Sequence, residues 1–164
     1  ACLRAWGAPD IIARRLDEFI DLAIDQPPLI QWPSALDTRQ LDRSSTSFCR
    51  GLSGVLTLLC AAAKKLRSER IGEYAARAAF MMRKMPAFMP GICCGAAGQA
   101  VAVGHYAAIS GCSTSRRWAR SRLGWAAEVS SSQSLINLWY GRPGVALAAL
   151  ALSGKGALPL FPNP

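Results

Sequence analysis

The sequence predicts an all-α chain of repeated helical hairpins, and three observations carry that reading. Ala, Leu, Ile and Met recur while Val and Thr are sparse, a mix that favours helices over strands. The tetrad Gly-x-x-Gly occurs at Gly51–Gly54, Gly95–Gly98 and Gly141–Gly144, at steps of 44 and 46 residues. Apolar runs headed by these tetrads alternate with amphipathic, basic runs. A single such tetrad means little, but three at a near-constant step mark an internal repeat.

The elements follow in order. Ile11–Asp25 is predicted as an amphipathic helix with Ile12, Leu16, Phe19, Ile20 and Ala23 on its apolar side, stopped by Pro27-Pro28. After the first tetrad, Val55–Ala63 is apolar nearly all round, which predicts an inner helix buried on several sides. Ser68–Lys84 is amphipathic: Ile71, Tyr74, Ala75, Ala78, Met82 and Met85 keep a helical rhythm, and Pro86 and Pro90 end it. The second unit repeats the plan. Gln99–Ser110 is an inner helix closed by Gly111, and Ser115–Ser130 is an outer one. The third contributes the inner helix Val145–Leu152, stopped by Gly154 and Gly156.

Aligned on the first glycine of each tetrad, the turns read Ser47-Phe48-Cys49-Arg50-Gly51, Gly91-Ile92-Cys93-Cys94-Gly95 and Asn137-Leu138-Trp139-Tyr140-Gly141. Cys49 and Cys93 share one position and Cys94 follows. If the repeats curve around an axis, equivalent turns converge and three thiols meet. Three thiolates suit a soft metal, zinc by default, with a fourth position open to water or substrate. The amides at the start of each inner helix are expected to favour thiolates just before the tetrads, and Arg50 adds positive charge. Cys60 falls inside an apolar helix and reads as core, as does His105 on the second inner helix. Cys2 and Cys112 receive no role.

Composition sets bounds. In 164 residues, 51% hydrophobic and 18% charged, there is room for one domain with a buried core and no sign of a disordered chain. The apolar runs fall short of the about 20 residues that span a bilayer. Adjacent cysteines in a helical chain argue against a disulfide framework. The chain opens Ala1-Cys2-Leu3-Arg4 without a signal-peptide core, and is expected to be cytoplasmic and cut from a longer protein. The net charge of +9 permits an acidic partner. Arg116, Arg117, Arg120 and Arg122 spread around an outer helix without a nucleic-acid-binding motif, so a solvated face is expected there. Sugar or terpene chemistry would need clustered carboxylates, and Asp37, Asp42 and Glu128 are scattered.

These motifs resemble those of the lanthionine synthetase C-like (LanC-like) family. Phe48-Cys49-Arg50-Gly51-Leu52-Ser53-Gly54 is similar to its Trp-Cys-x-Gly-x-x-Gly turn, and Cys93-Cys94-Gly95-Ala96-Ala97-Gly98 to its Cys-His-Gly-x-x-Gly turn in the Cys-Cys-Gly form. Leu138–Val145 resembles the closing turn, Leu158-Pro159-Leu160-Phe161 the terminal tail, and Gln31-Trp32-Pro33 the Trp-Pro loop before the first zinc cysteine. The resemblance implies an α/α-toroid, with residues 1–164 as its C-terminal part, a partial ring of about three hairpin units. It implies Zn2+ on Cys49, Cys93 and Cys94. The implied activity is addition of a peptide cysteine thiolate to dehydroalanine or dehydrobutyrine, giving a thioether in a lanthipeptide.

Partners implied are a cysteine-containing dehydrated peptide and an upstream dehydratase or kinase domain; nucleic acid and a membrane span are not. The family's catalytic His and Asp lie upstream of this chain. Its catalytic arginine falls on Ser45, with Arg43 two residues away as the remaining candidate. An all-thiolate site would carry one net negative charge and make a bound thiolate more nucleophilic. Two readings stay open: a zinc-dependent cyclase, and a non-catalytic zinc-binding helical-repeat module that holds a peptide or protein partner.

Overall fold

The computed structural model describes residues 9–26, 29–33, 46–132 and 136–154. It is mostly helical, with six helices packed together. In chain order the elements are α1 (Pro9–Asp21), β1 (Ile24–Gln26), β2 (Leu29–Gln31), α2 (Leu52–Leu66), α3 (Glu69–Lys84), α4 (Ala96–Ser110), α5 (Ser113–Ser131) and α6 (Arg142–Leu152). Among the described residues no helix is long and apolar enough to cross a membrane.

The first departure from an all-helical chain is the small hairpin. Helix α1 ends at Asp21, four residues before the expected stop, and Ile24–Gln26 pairs antiparallel with Leu29–Gln31. The residue before Pro27 is pushed towards extended backbone, and pairing with Leu29–Gln31 draws Ile24 and Asp25 into the same strand. Trp32 fixes the far side of this hairpin. Its Nε1 donates to the Phe19 carbonyl at 2.8 Å, and its ring stacks on Phe19 with centroids 5.5 Å apart. On α3, Arg70 reaches Asp17 and Asp21 at 2.9 and 2.6 Å, and Arg77 pairs with Asp25. Exposed ion pairs of this kind orient more than they stabilise. Burial of Leu16, Ile20 and Ile30 beside residues of α2 and α3 supplies the stabilisation.

Helix ends follow local chemistry. The Ser68 hydroxyl accepts from the Ile71 amide at 3.4 Å and caps α3. Gly111 closes α4 in the left-handed region, at φ 71. Arg67 closes α2 there too, at φ 50, where a side chain is strained.

The core is organised around α4. It packs against α2, α3, α5 and α6, and is buried almost all round from Ala96 to Val103. Its Ala102 and Val103 belong to the cluster formed with α1, α2 and α3; Ala96, Ala97 and Val101 belong to a second cluster with Ile92, Ala126, Val145 and Ala148. Small side chains let these helices approach closely. The other inner helices are less enclosed than their composition suggests. Leu58 of α2 is 39% exposed and Leu150 of α6 47%. Helix α6 packs chiefly on α4 and α5, so much of its surface has no neighbouring helix among the described residues.

The three tetrads adopt one local conformation. Gly51, Gly95 and Gly141 are extended N-caps with φ of −138, −135 and −115 and ψ near −170 in each case (−169, −171 and −168). The second glycine of each tetrad lies against the carbonyl of the residue six before it: Phe48 for Gly54, Ile92 for Gly98 and Leu138 for Gly144. A Cβ there would overlap backbone oxygen, so only glycine fits.

Two substitutions test this account by urea unfolding. Gly98→Ala is expected to cost about 3 kcal/mol or more, because backbone must move to admit the methyl group. Arg67→Gly is expected to gain about 1 kcal/mol by relieving the left-handed strain. A neutral result for Gly98→Ala would refute the close-approach argument.

Candidate metal centre

The turns before α2, α4 and α6 are joined by backbone hydrogen bonds. The Phe48 amide donates to the Cys93 carbonyl at 2.6 Å. The amides of Ile92 and Cys93 both donate to the Trp139 carbonyl, at 2.8 and 3.0 Å. Within the first and third turns, the residue four before the leading glycine fixes the loop. The Ser47 hydroxyl accepts from the Arg50 amide at 3.3 Å, and the Asn137 side-chain oxygen accepts from the Trp139 and Tyr140 amides at 2.8 and 3.3 Å. In the second turn that place is Gly91, where a Cβ would run into Trp139 and Tyr140 backbone. Glycine there lets the third turn lie directly on the second.

This joining brings the cysteines together. Cys93 Sγ lies 3.7 Å from Cys49 Sγ and 3.5 Å from Cys94 Sγ, and all three sulfurs fall within 4.8 Å of one another. Cys49 and Cys94 are exposed and Cys93 is half-buried. Tetrahedral zinc with bonds of about 2.3 Å sets its sulfurs about 3.8 Å apart. The donor set and spacing therefore fit a thiophilic ion held by three ligands, with one side open.

Electrostatics separates the three thiols. Burial pushes Cys93 up to about 12, and the adjoining Cys94 and Cys49 sulfurs add to the shift. Burial acts the same way on Cys49, but hydrogen bonding with Cys93, Ser47 and its own backbone, together with the Arg50 charge, brings its thiol below the ordinary range. Cys49 is thus favoured as a thiolate, and Cys93 resists ionisation while no cation offsets it. The tyrosine one residue before Gly141 joins the group. Charge on Cys93 and Cys94 raises the Tyr140 phenol, which also hydrogen-bonds Cys93, so it stays a neutral donor. Tyr140, given no role from sequence, occupies the register position of Cys94, and that alignment is the signal by which it can be found.

One expected source of thiolate stabilisation is absent. The first amides of α4 turn to the chain entering the turn: Ala96, Ala97 and Gly98 donate to the carbonyls of Met89, Pro90 and Gly91 at 2.8, 3.1 and 3.4 Å. They are spent on backbone and do not face sulfur.

The other sequence candidates are placed elsewhere. Cys60 is buried in α2, its thiol pushed up to about 12 by burial. His105 is buried in α4, and burial keeps it neutral. Cys112, given no role from sequence, caps α5 by accepting from the Ser115 amide at 3.4 Å. Arg122 departs from the solvated face: it lies over Trp118 at 4.6 Å and donates to the Met85 carbonyl at 3.1 Å. Trp32 and Pro33 line a cavity of about 420 Å³ that Cys49 also lines. Arg43, Ser45, Cys2, Gly156 and the Leu158–Phe161 tail lie outside the described residues.

Cobalt(II) titration is expected to give one ion per chain with sulfur-to-metal charge-transfer absorption. Cys49→Ser, Cys93→Ser and Cys94→Ser should each weaken binding about a hundredfold or more, and Cys60→Ser should leave the stoichiometry intact. Because protons must leave the thiols, affinity should rise with pH, about tenfold per unit for each proton displaced, and fall on acidification. A pH-independent affinity would exclude the thiols as ligands.

No protein-family model matches the chain, and a search of curated proteins finds no match.

Proposed function

We propose that Cys49, Cys93 and Cys94 hold zinc, and that the chain serves thioether formation as part of a LanC-like α/α-toroid. The single observation that carries this reading is the meeting of three thiols from turns 44 residues apart in sequence. The three tetrads with matched backbone conformation support it, since hairpins that curve around an axis would present equivalent turns at one end.

Zinc at such a site lowers the pKa of a thiol that takes its open position. The chain's own residues supply the rest. Three sulfurs form the ligand set, and Arg50 offsets negative charge at Cys49. The Tyr140 phenol lies beside the trio, held protonated by charge on Cys93 and Cys94. The chemistry proposed is addition of a peptide cysteine sulfur to the β-carbon of a dehydroalanine or dehydrobutyrine. The new S–C bond forms as the C=C bond opens, and a proton is delivered to the α-carbon.

A specific observation keeps a second reading in view. Among the described residues, no imidazole or carboxylate joins the three sulfurs to act as that proton source. A zinc-bearing module that holds a cysteine peptide without turnover is the alternative.

One assay separates them. The zinc-loaded chain is mixed with a peptide carrying one dehydroalanine and one cysteine, and free thiol is then capped by alkylation and read by mass spectrometry. Cyclase function predicts a product that escapes alkylation, lost in Cys49→Ser. Peptide retention with the thiol still alkylated on release would select the holding module. Neither turnover nor retention would reject both.

A further inference from the structure

The cavity beside Cys49 is separate from the sulfur trio yet shares a wall with it. Its volume is about 420 Å³, and Trp32, Phe48, Val55, Leu58 and Met85 give it an apolar lining. Pockets of this size suit a large side chain or small group. Its walls are held in place before any ligand arrives. Trp32 is pinned by its stack on Phe19 and its hydrogen bond to the Phe19 carbonyl. Phe48 is anchored through its amide to the Cys93 carbonyl. The cavity also gives a reason for Leu58, a large apolar residue 39% exposed on an otherwise well-packed helix: it faces this space. Among the described residues, none of those around it is a carboxylate.

We propose that this cavity receives a large apolar or aromatic side chain next in sequence to the cysteine that a peptide presents at the sulfur trio. Position and chemistry together select that occupant. A peptide whose sulfur sits by Cys49 carries its neighbouring residue within reach of the cavity, and an apolar side chain gains by burial against Trp32, Phe48, Val55, Leu58 and Met85, with Gln31 and Arg50 at the same wall. The placing of the peptide cysteine rests on the proposed function; the apolar preference rests on the cavity alone.

The test uses three synthetic peptides, acetyl-Gly-Phe-Cys-Gly-amide, acetyl-Gly-Cys-Phe-Gly-amide and acetyl-Gly-Ala-Cys-Gly-amide. Affinity for the cobalt-loaded chain is read from the charge-transfer band. The Trp32 indole N–H signal is followed by NMR in loaded and metal-free chain. At least one phenylalanine peptide should bind roughly tenfold more tightly than the alanine peptide. It alone should shift the Trp32 signal. Leu58→Trp, which fills the cavity from an exposed position, should bring the ratio to about one with the cobalt spectrum retained. Leu58→Ala, which removes wall surface without adding bulk, should reduce the preference severalfold. Equal affinity for all three peptides, an unmoved Trp32 signal, or a preference untouched in both variants would overturn the pocket. A chain that takes up no cobalt overturns the metal reading, while the Trp32 signal in metal-free chain still decides the pocket.

Discussion

The arrangement of this protein depends on a few backbone hydrogen bonds between turns that are distant in sequence. The Cys93 carbonyl receives the Phe48 amide, and the Trp139 carbonyl receives two amides from the second turn. These bonds are short-range and directional, so they set the relative positions of three helix starts closely. Apolar packing alone would not do so, because alanine-rich helices slide with little change in buried area. The glycines at Gly54, Gly98 and Gly144 make the bonds attainable by letting each helix start press against the carbonyl of its own entering chain. The third turn contributes no sulfur, yet it carries the second turn, which carries two.

The consequence for the thiols is crowding without equivalence. Three sulfurs share a small volume at the surface, and burial holds the half-buried Cys93 back from ionising. A group that resists charge in isolation becomes a strong ligand once a cation compensates, since desolvation then works with the bond and not against it. Arg50 and the Tyr140 hydroxyl temper the same cluster from opposite sides of the chemistry, one with fixed charge and one with a neutral donor. Neither replaces a cation, and that leaves the cluster suited to bind one.

Much of this was legible in the sequence because it is encoded by register. The tetrads and the position of Cys49 and Cys93 within them required only an alignment of the chain with itself, and the helix ends at Ser68 and Gly111 carry their own chemistry. What was not legible came from tertiary context. The hairpin at Ile24–Gln31 was hidden because Ile24 and Asp25 follow the apolar side of α1 without a break in sequence, and their strand exists only through pairing with Ile30 and Gln31. The diversion of the α4 amides could not be inferred, since the path of Met89–Gly91 over the helix start is set by where Pro90 and Ile92 pack. The exposure of α6 was missed for a simpler reason: an apolar segment does not say how many neighbours it will meet. Cys112 shows the reverse case, a residue without a pattern that turns out to start a helix.

The bond from Phe48 to Cys93, and those from Ile92 and Cys93 to Trp139, also define the smallest piece of chain that can own this site. The sulfurs belong to two turns and their support to a third, so the interval from Phe48 to Trp139 is indivisible for this purpose. A fragment ending after α4 would keep every cysteine of the trio and lose the carbonyl on which Ile92 and Cys93 hang. The inventory of ligands would be complete and the geometry gone. The sulfur cluster is therefore kept by the spacing between the turns as much as by the residues within them.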